Sequence, residues 1–290
     1  MKRAISQAAL LLSAAVFTAS CAPADTTADE GTAETGETTV TAVSDQDTVE
    51  IEDNEGVKSV PHVPERVAAL DDRARELLEA LGVNVSDTDS RVDLVVAATA
   101  ESAAGPRTEA AFVDLSPRDG IPLDWEMVRQ AQVLGTILGR EEEAAELDDQ
   151  FSQARGRAID ARNESWTFAA LSSNGNELTV QPTEGDGLWR PVFDMLELTP
   201  ALAPDGSVDL RALIDAKPRF LLVTERPKAF GEDGYESPMR LMTEHTDLAQ
   251  LPAVEKGNVY VAPLEVQDTA SLVAYTKIFN ELADQWSEMP

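Results

Sequence analysis

The sequence predicts an α/β protein of two Rossmann-like lobes joined by a single long helix, and three observations predict it. Short apolar runs at Val67 to Leu70, Val92 to Ala97 and Phe112 to Leu115 alternate with helical segments, the pattern of a parallel sheet with right-handed crossovers. The period then turns purely helical: Met127, Ala131, Leu134 and Leu138 form one stripe and, past Gly139, Leu147, Phe151, Ala154 and Ala158 form a second. Beyond residue 163 strand and helix alternate again. The architecture reads as duplicated, although no internal repeat is strong at the residue level.

The first 20 residues read as an export signal. Lys2 and Arg3 precede an apolar stretch from Ala8 to Phe17, too short to span a bilayer core of about 30 Å as a helix. Thr18-Ala19-Ser20-Cys21 follows, similar to the lipobox of bacterial lipoproteins, with threonine where Leu or Val is commoner. Cys21 is the chain's one cysteine, and lipid on it would hold the protein at the outer face of the cell membrane. Residues 21–46 read as a disordered acidic tether: from Ala22 to Val57 there are eleven acidic residues and no basic one, and such a segment extends by self-repulsion.

The folded part divides into a first α/β lobe over 47–122, a helical connection over 123–163 and a second α/β lobe over 164–290. In the first lobe Val49 to Ile51 and Val57 to Val60 flank a turn, and Val67 to Leu70 makes a buried strand. Asp71 and Asp72 can cap a helix with Ala74, Leu77, Leu78 and Leu81 on its apolar face. A helix from 141 to 162 would run about 33 Å, long enough to bridge two lobes. In the second lobe strands are expected at Trp166 to Leu171, Phe220 to Val223 and Asn258 to Val261. Helices are expected at Leu188 to Leu196, at Leu210 to Ile214, and on the stripe Leu272, Tyr275, Phe279, Leu282 and Trp286.

Composition excludes several functions. With 53 acidic against 23 basic residues and a net charge of -30, binding to nucleic acid or to an anionic lipid surface is disfavoured. One Cys and two His cannot form a disulfide framework or a four-ligand zinc site, and no metal or other cofactor is expected. There is no Gly-x-Ser-x-Gly elbow, no phosphate loop and no His-Glu-x-x-His, so no enzyme chemistry is expected.

Four segments carry a resemblance: Val60 to Leu70 with Leu77 to Val83; Leu134 to Ala144; Asp209 to Val223; and Leu251 to Tyr260. In this order, behind a lipoprotein signal, they resemble the substrate-binding proteins of ABC importers for ferric siderophores, haem and cobalamin, whose two α/β lobes are joined by one rigid helix. The resemblance spans nearly all of residues 48 to 288. It implies capture of a small-molecule chelate between the lobes and delivery to an ABC permease. Two departures stand out. Family members carry an extra strand and helix where this chain has only Asn84 to Arg91, so the first lobe is abbreviated. Of the two glutamates that dock on the permease, one belongs to that missing segment and the other aligns with Arg211, which leaves docking without its expected carboxylates.

Ligands of open parallel sheets bind beyond the carboxyl ends of the strands, and two facing lobes make a cleft there. The ligand-binding candidates are accordingly Arg73 after the first strand, Asn174 (with Ser172 and Ser173), Trp189 and Arg190 beyond the second-lobe hairpin, and Arg226 and Tyr235 after Val223 (with Glu225). Guanidinium donors meet chelate oxygens, and rings cover an apolar ligand backbone. Each arginine competes with a surface role and Trp189 with a core role, while Arg66 lies at the wrong strand end. The acidity of the body favours a neutral or cationic ferric hydroxamate over an anionic catecholate. Haem binding would need His245 or a tyrosine as axial ligand. Haem, cobalamin, or a surface lipoprotein that kept the fold but lost transport stay open as alternatives.

Overall fold

The central strands of both lobes are continuous apolar runs because both of their faces are covered. In the first lobe β3 (Val67–Ala69) and β5 (Leu94–Ala97) are buried at every position. With β4 (Val85–Ser86) and β6 (Ala111–Asp114) they form a parallel sheet in the order β4-β3-β5-β6. Val67 faces Val85 on one side and Leu94 on the other. Among the described residues of 84–91, Val85–Ser86 form the two-residue edge strand β4. The computed structural model describes residues 47–88, 91–183, 188–203, 206, 208–225, 234–263 and 269–289, so the export signal, the tether and Cys21 lie outside the described residues.

A hairpin of β1 (Thr48–Asp53) and β2 (Gly56–Pro61) precedes this sheet. Its tip is fastened to the end of β6: the Asn54 amide donates to the Ser116 carbonyl at 2.7 Å and to Ser116 Oγ at 2.9 Å. Helix α1 (Asp72–Ala80) starts where expected, with the Asp71 carboxylate accepting from Ala74 N at 2.8 Å. The same carboxylate accepts from Ala98 N at 2.8 Å, tying the ends of β3 and β5 together. A short helix α2 (Ala100–Ala103), capped by Thr99, completes this end of the sheet.

Two helices make the connection, α3 (Leu123–Leu138) and α4 (Glu141–Ala161). Gly139 separates them in the left-handed conformation (φ 63°), where a side chain would be strained and would press on Val63. The α3–α4 corner also requires Gly135, since a Cβ there would stand 2.7 Å from Ala144 Cβ. Helix α4 is the longer bridge, about 31 Å at roughly 1.5 Å per residue. Its Ala144 is part of the first-lobe core, its Phe151, Ala154 and Ala158 belong to the second, and Leu147 packs against both. Burying the stripe in two cores at once is what makes the joint rigid.

The second sheet has the order β10-β9-β7-β8. Strands β7 (Phe168–Ser173), β9 (Phe220–Glu225) and β10 (Val259–Val261) are parallel, and β8 (Leu178–Gln181) returns from β7 as a hairpin. On one face Phe168 and Phe220 touch each other and the Trp286 ring of the overlying α9 (Leu272–Ser287), and α5 (Trp189–Met195) packs on the same side. The other is covered by α6 (Leu210–Ala216), α7 (Pro238–Glu244) and α8 (Pro252–Glu255). Phe151 of α4 and Phe279 of α9 meet at 5.8 Å, which locks the bridge to the second lobe.

Candidate functional site

The lobes enclose an open cleft of about 1140 Å³. Its first-lobe wall is Arg73, at the start of α1, with the segment Pro117 to Trp125 that leads from β6 into α3. Arg155 of α4 lies at its base. The second lobe adds Leu188, Arg190, Pro191, Asp194 and Met195 from α5 and its approach, and Ala270 and Tyr275 from the start of α9.

Arg73 sits there because Asp71 starts α1 at the carboxyl end of β3, aiming the next turn across the cleft. Its Nε donates to the Thr269 carbonyl of the second lobe at 3.0 Å. A second cross-lobe bond runs from Ser271, the N-cap of α9, to Glu76. Burial lowers the pKa of the Arg73 guanidinium, with Tyr275 and Asp71 opposing, and no ion pair compensates its charge among the described residues. The other cleft arginines are all paired: Arg118 with Glu126 at 2.7 Å, Arg155 with Asp124 at 3.1 Å and Arg190 with Asp194 at 3.6 Å. Tyr275 is buried, with its hydroxyl donating to the Leu188 carbonyl at 3.2 Å, and burial pushes its phenol above the ordinary value.

Beneath the first-lobe wall lies Glu126, fully buried on α3. It accepts from Arg118 Nη2 at 2.7 Å and from Arg129 Nη2 at 2.6 Å, and its Oε2 also accepts the Arg118 backbone N–H at 3.3 Å. Burial opposes ionisation of this carboxyl, but the two guanidinium groups outweigh it and hold the pKa below the usual value. The segment from 117 to 122 is therefore fastened at Arg118 from below.

Of the expected ligand residues, Arg73 and Arg190 line the cleft, whereas Trp189, Asn174 and Tyr235 lie outside its lining. Trp189 is 3% exposed and meets Tyr260 edge-on at 6.0 Å, so it belongs to the second-lobe core. One helical step of about 100° separates its direction from that of Arg190. Asn174 is spent on the β7–β8 turn, where its side chain accepts from Asn176 N at 3.0 Å and Glu177 N at 2.8 Å. Tyr235 bonds to Glu225, and burial together with that carboxylate raises its pKa to about 12. It fastens the chain beside the β7–β8 turn, where Glu236 N donates to the Gly175 carbonyl at 2.7 Å, and it does not line the cleft. Arg226 lies outside the described residues.

His245 caps the turn after α7 through Nδ1, away from the cleft, so it offers no axial ligand there. Arg66 is structural, paired with Asp93 at 3.1 Å. Sequence reasoning missed Arg118 and Trp125. Trp125 lies two positions before Met127 on a helix, about 200° around from the core stripe, which marks it as outward-facing.

This is the fold of two-lobed periplasmic binding proteins, as the resemblance implied. A TroA-like periplasmic binding protein of Xylanimonas cellulosilytica superposes with a TM-score of 0.63 at 22% identity, over 80% of this chain and 92% of the other. A petrobactin-binding protein of Bacillus subtilis gives 0.65 at 16% identity, over 84% and 100%. A catecholate-siderophore binding protein of Vibrio cholerae gives 0.63 at 14%, over 81% and 99%. No protein-family model and no curated protein sequence matches the chain.

Proposed function

We propose that the protein is an exported, lipid-anchored substrate-binding protein that captures a ferric siderophore chelate between its lobes and presents it to an ABC importer. The observation that carries this reading is Arg73, a half-buried cation that no ion pair compensates among the described residues, on the wall of an open interlobe cleft. Desolvating a charge without a partner is costly, and an anionic ligand would supply the partner. Solved proteins of this fold include ones named for petrobactin and for catecholate siderophores. Export and the anchor rest on Lys2, Arg3 and the run ending at Cys21.

The net charge of -30 favours a neutral or cationic hydroxamate at long range. Repulsion from charges beyond a Debye length of about 8 Å is screened, however, whereas Arg73, which no carboxylate pairs among the described residues, acts at contact. The wall's chemistry therefore outranks the body's, and an anionic chelate is the better fit. Arg211 is exposed on α6 at the position where a docking carboxylate would stand, so any permease contact here uses other groups; loss of transport coupling is the alternative reading.

Titrating the purified protein with ferric hydroxamate, ferric catecholate and ferric citrate, followed by calorimetry, tests the reading. Micromolar or tighter binding of at least one chelate is expected, the anionic ones ahead. Absence of binding by all three below millimolar concentration would refute it.

A further inference from the structure

Of the four tryptophans, Trp166, Trp189 and Trp286 are at most 7% exposed, whereas Trp125 is 69% exposed. It stands on the first turn of α3 in the cleft wall, with Ile121, itself 42% exposed, in the same wall. Leaving that much apolar surface in water forgoes the stabilisation that burial gives the other three rings.

The backbone holding these side chains is nevertheless fixed. Pro117 and Pro122 bracket the segment, the Ile121 N–H donates to the Arg118 carbonyl at 3.3 Å, and Trp125 N donates to the Pro122 carbonyl at 3.1 Å. Arg118, at the head of the segment, is clamped to buried Glu126 by guanidinium and backbone N–H alike. A rigid support that keeps a large ring facing a cleft is the arrangement of a preorganised contact, which loses little entropy when a ligand arrives.

We propose that Trp125, with Ile121 beside it, is a stacking platform that makes the cleft select chelates bearing aryl rings over aliphatic chelates of similar charge. This rests on the reading of the cleft as a chelate site and adds its discriminating element. The arginines of the lining meet the charge of either kind of chelate and cannot tell them apart, whereas a flat indole face gains area and π-contact only from a planar ring. The occupant is fixed by that combination, an anionic complex with exposed aromatic faces.

The test compares wild type, Trp125→Ala and Trp125→Phe for binding of iron(III) tris(2,3-dihydroxybenzoate) and of ferric citrate by calorimetry. Trp125→Ala is expected to weaken the aryl chelate about tenfold, the scale of one aromatic contact. Trp125→Phe should recover most of the loss, and ferric citrate should change less than about twofold. Equal loss for both chelates, or no loss for either, would overturn the platform while leaving chelate binding standing. If wild type binds neither chelate, the platform falls, and the functional reading falls with it only where ferric hydroxamate is not bound either. Because the ring is exposed, unchanged thermal melting of both variants is expected, and it separates a binding effect from misfolding.

Discussion

Replacing Arg73 by alanine weakens chelate binding about a hundredfold while the protein stays folded. Truncating one member of a desolvated charge contact costs about 2–5 kcal/mol, and a hundredfold is roughly 2.7 kcal/mol. The folded state loses mainly the bond from Arg73 Nε to the Thr269 carbonyl, about 1 kcal/mol. The second cross-lobe bond, between Ser271 and Glu76, stays in place. Arg73→Lys keeps the charge but not the planar fork of donors, so an intermediate affinity is expected. Calorimetric titration paired with thermal melting separates the two effects; a variant with wild-type affinity would show that the cleft cation is not a ligand contact.

The largest expected effect on stability falls on Glu126. Glu126→Gln takes the counter-ion from the exposed Arg118 and from Arg129, which is mostly buried, and leaves a neutral amide in a buried position shaped for a carboxylate, so the denaturation midpoint should fall. The same change loosens Arg118 and with it the segment carrying Ile121 and Trp125, so chelate affinity should fall along with denaturation midpoint. The pH dependence follows from the direction of the shift. The folded pKa of Glu126 lies below its ordinary value of 4.5, so its contribution is complete above that value and disappears as pH falls through the folded pKa. Urea unfolding from pH 7 to pH 3 should show an acid-side loss in the wild type that is smaller in Glu126→Gln; equal acid profiles would contradict the assignment.

Much of the fold was legible because its signals are strong and local. Strands β3 and β5 and the first four residues of β7 and β9 are unbroken apolar runs buried on both faces, and the α4 stripe is regular enough to show that one helix enters two cores. Helices α2 and α8, of four residues each, escaped because so few turns show no period, although Thr99 is visible as a cap, and α7 escaped although Ser237 and Pro238 mark its start. The site was read less well. Proximity to a strand end is a one-dimensional criterion, and it cannot distinguish Arg190, facing the cleft, from Trp189, one residue away and facing the core. Asn174 lies outside the cleft lining because an asparagine before a glycine at a strand end also organises a turn. The segment from 117 to 122, rich in proline and glycine, reads as a connection. Only its attachment to buried Glu126, which depends on tertiary packing, shows that it is a wall.

The central claim is that an iron chelate sits between the lobes against Arg73. Crystals of the protein grown with the tightest-binding ferric chelate, measured on either side of the iron absorption edge, locate the metal directly. One anomalous peak in the cleft, with chelate oxygens in hydrogen-bonding contact with Arg73, is the predicted result. A peak elsewhere on the surface, or a chelate in the cleft that makes no contact with Arg73, would contradict it.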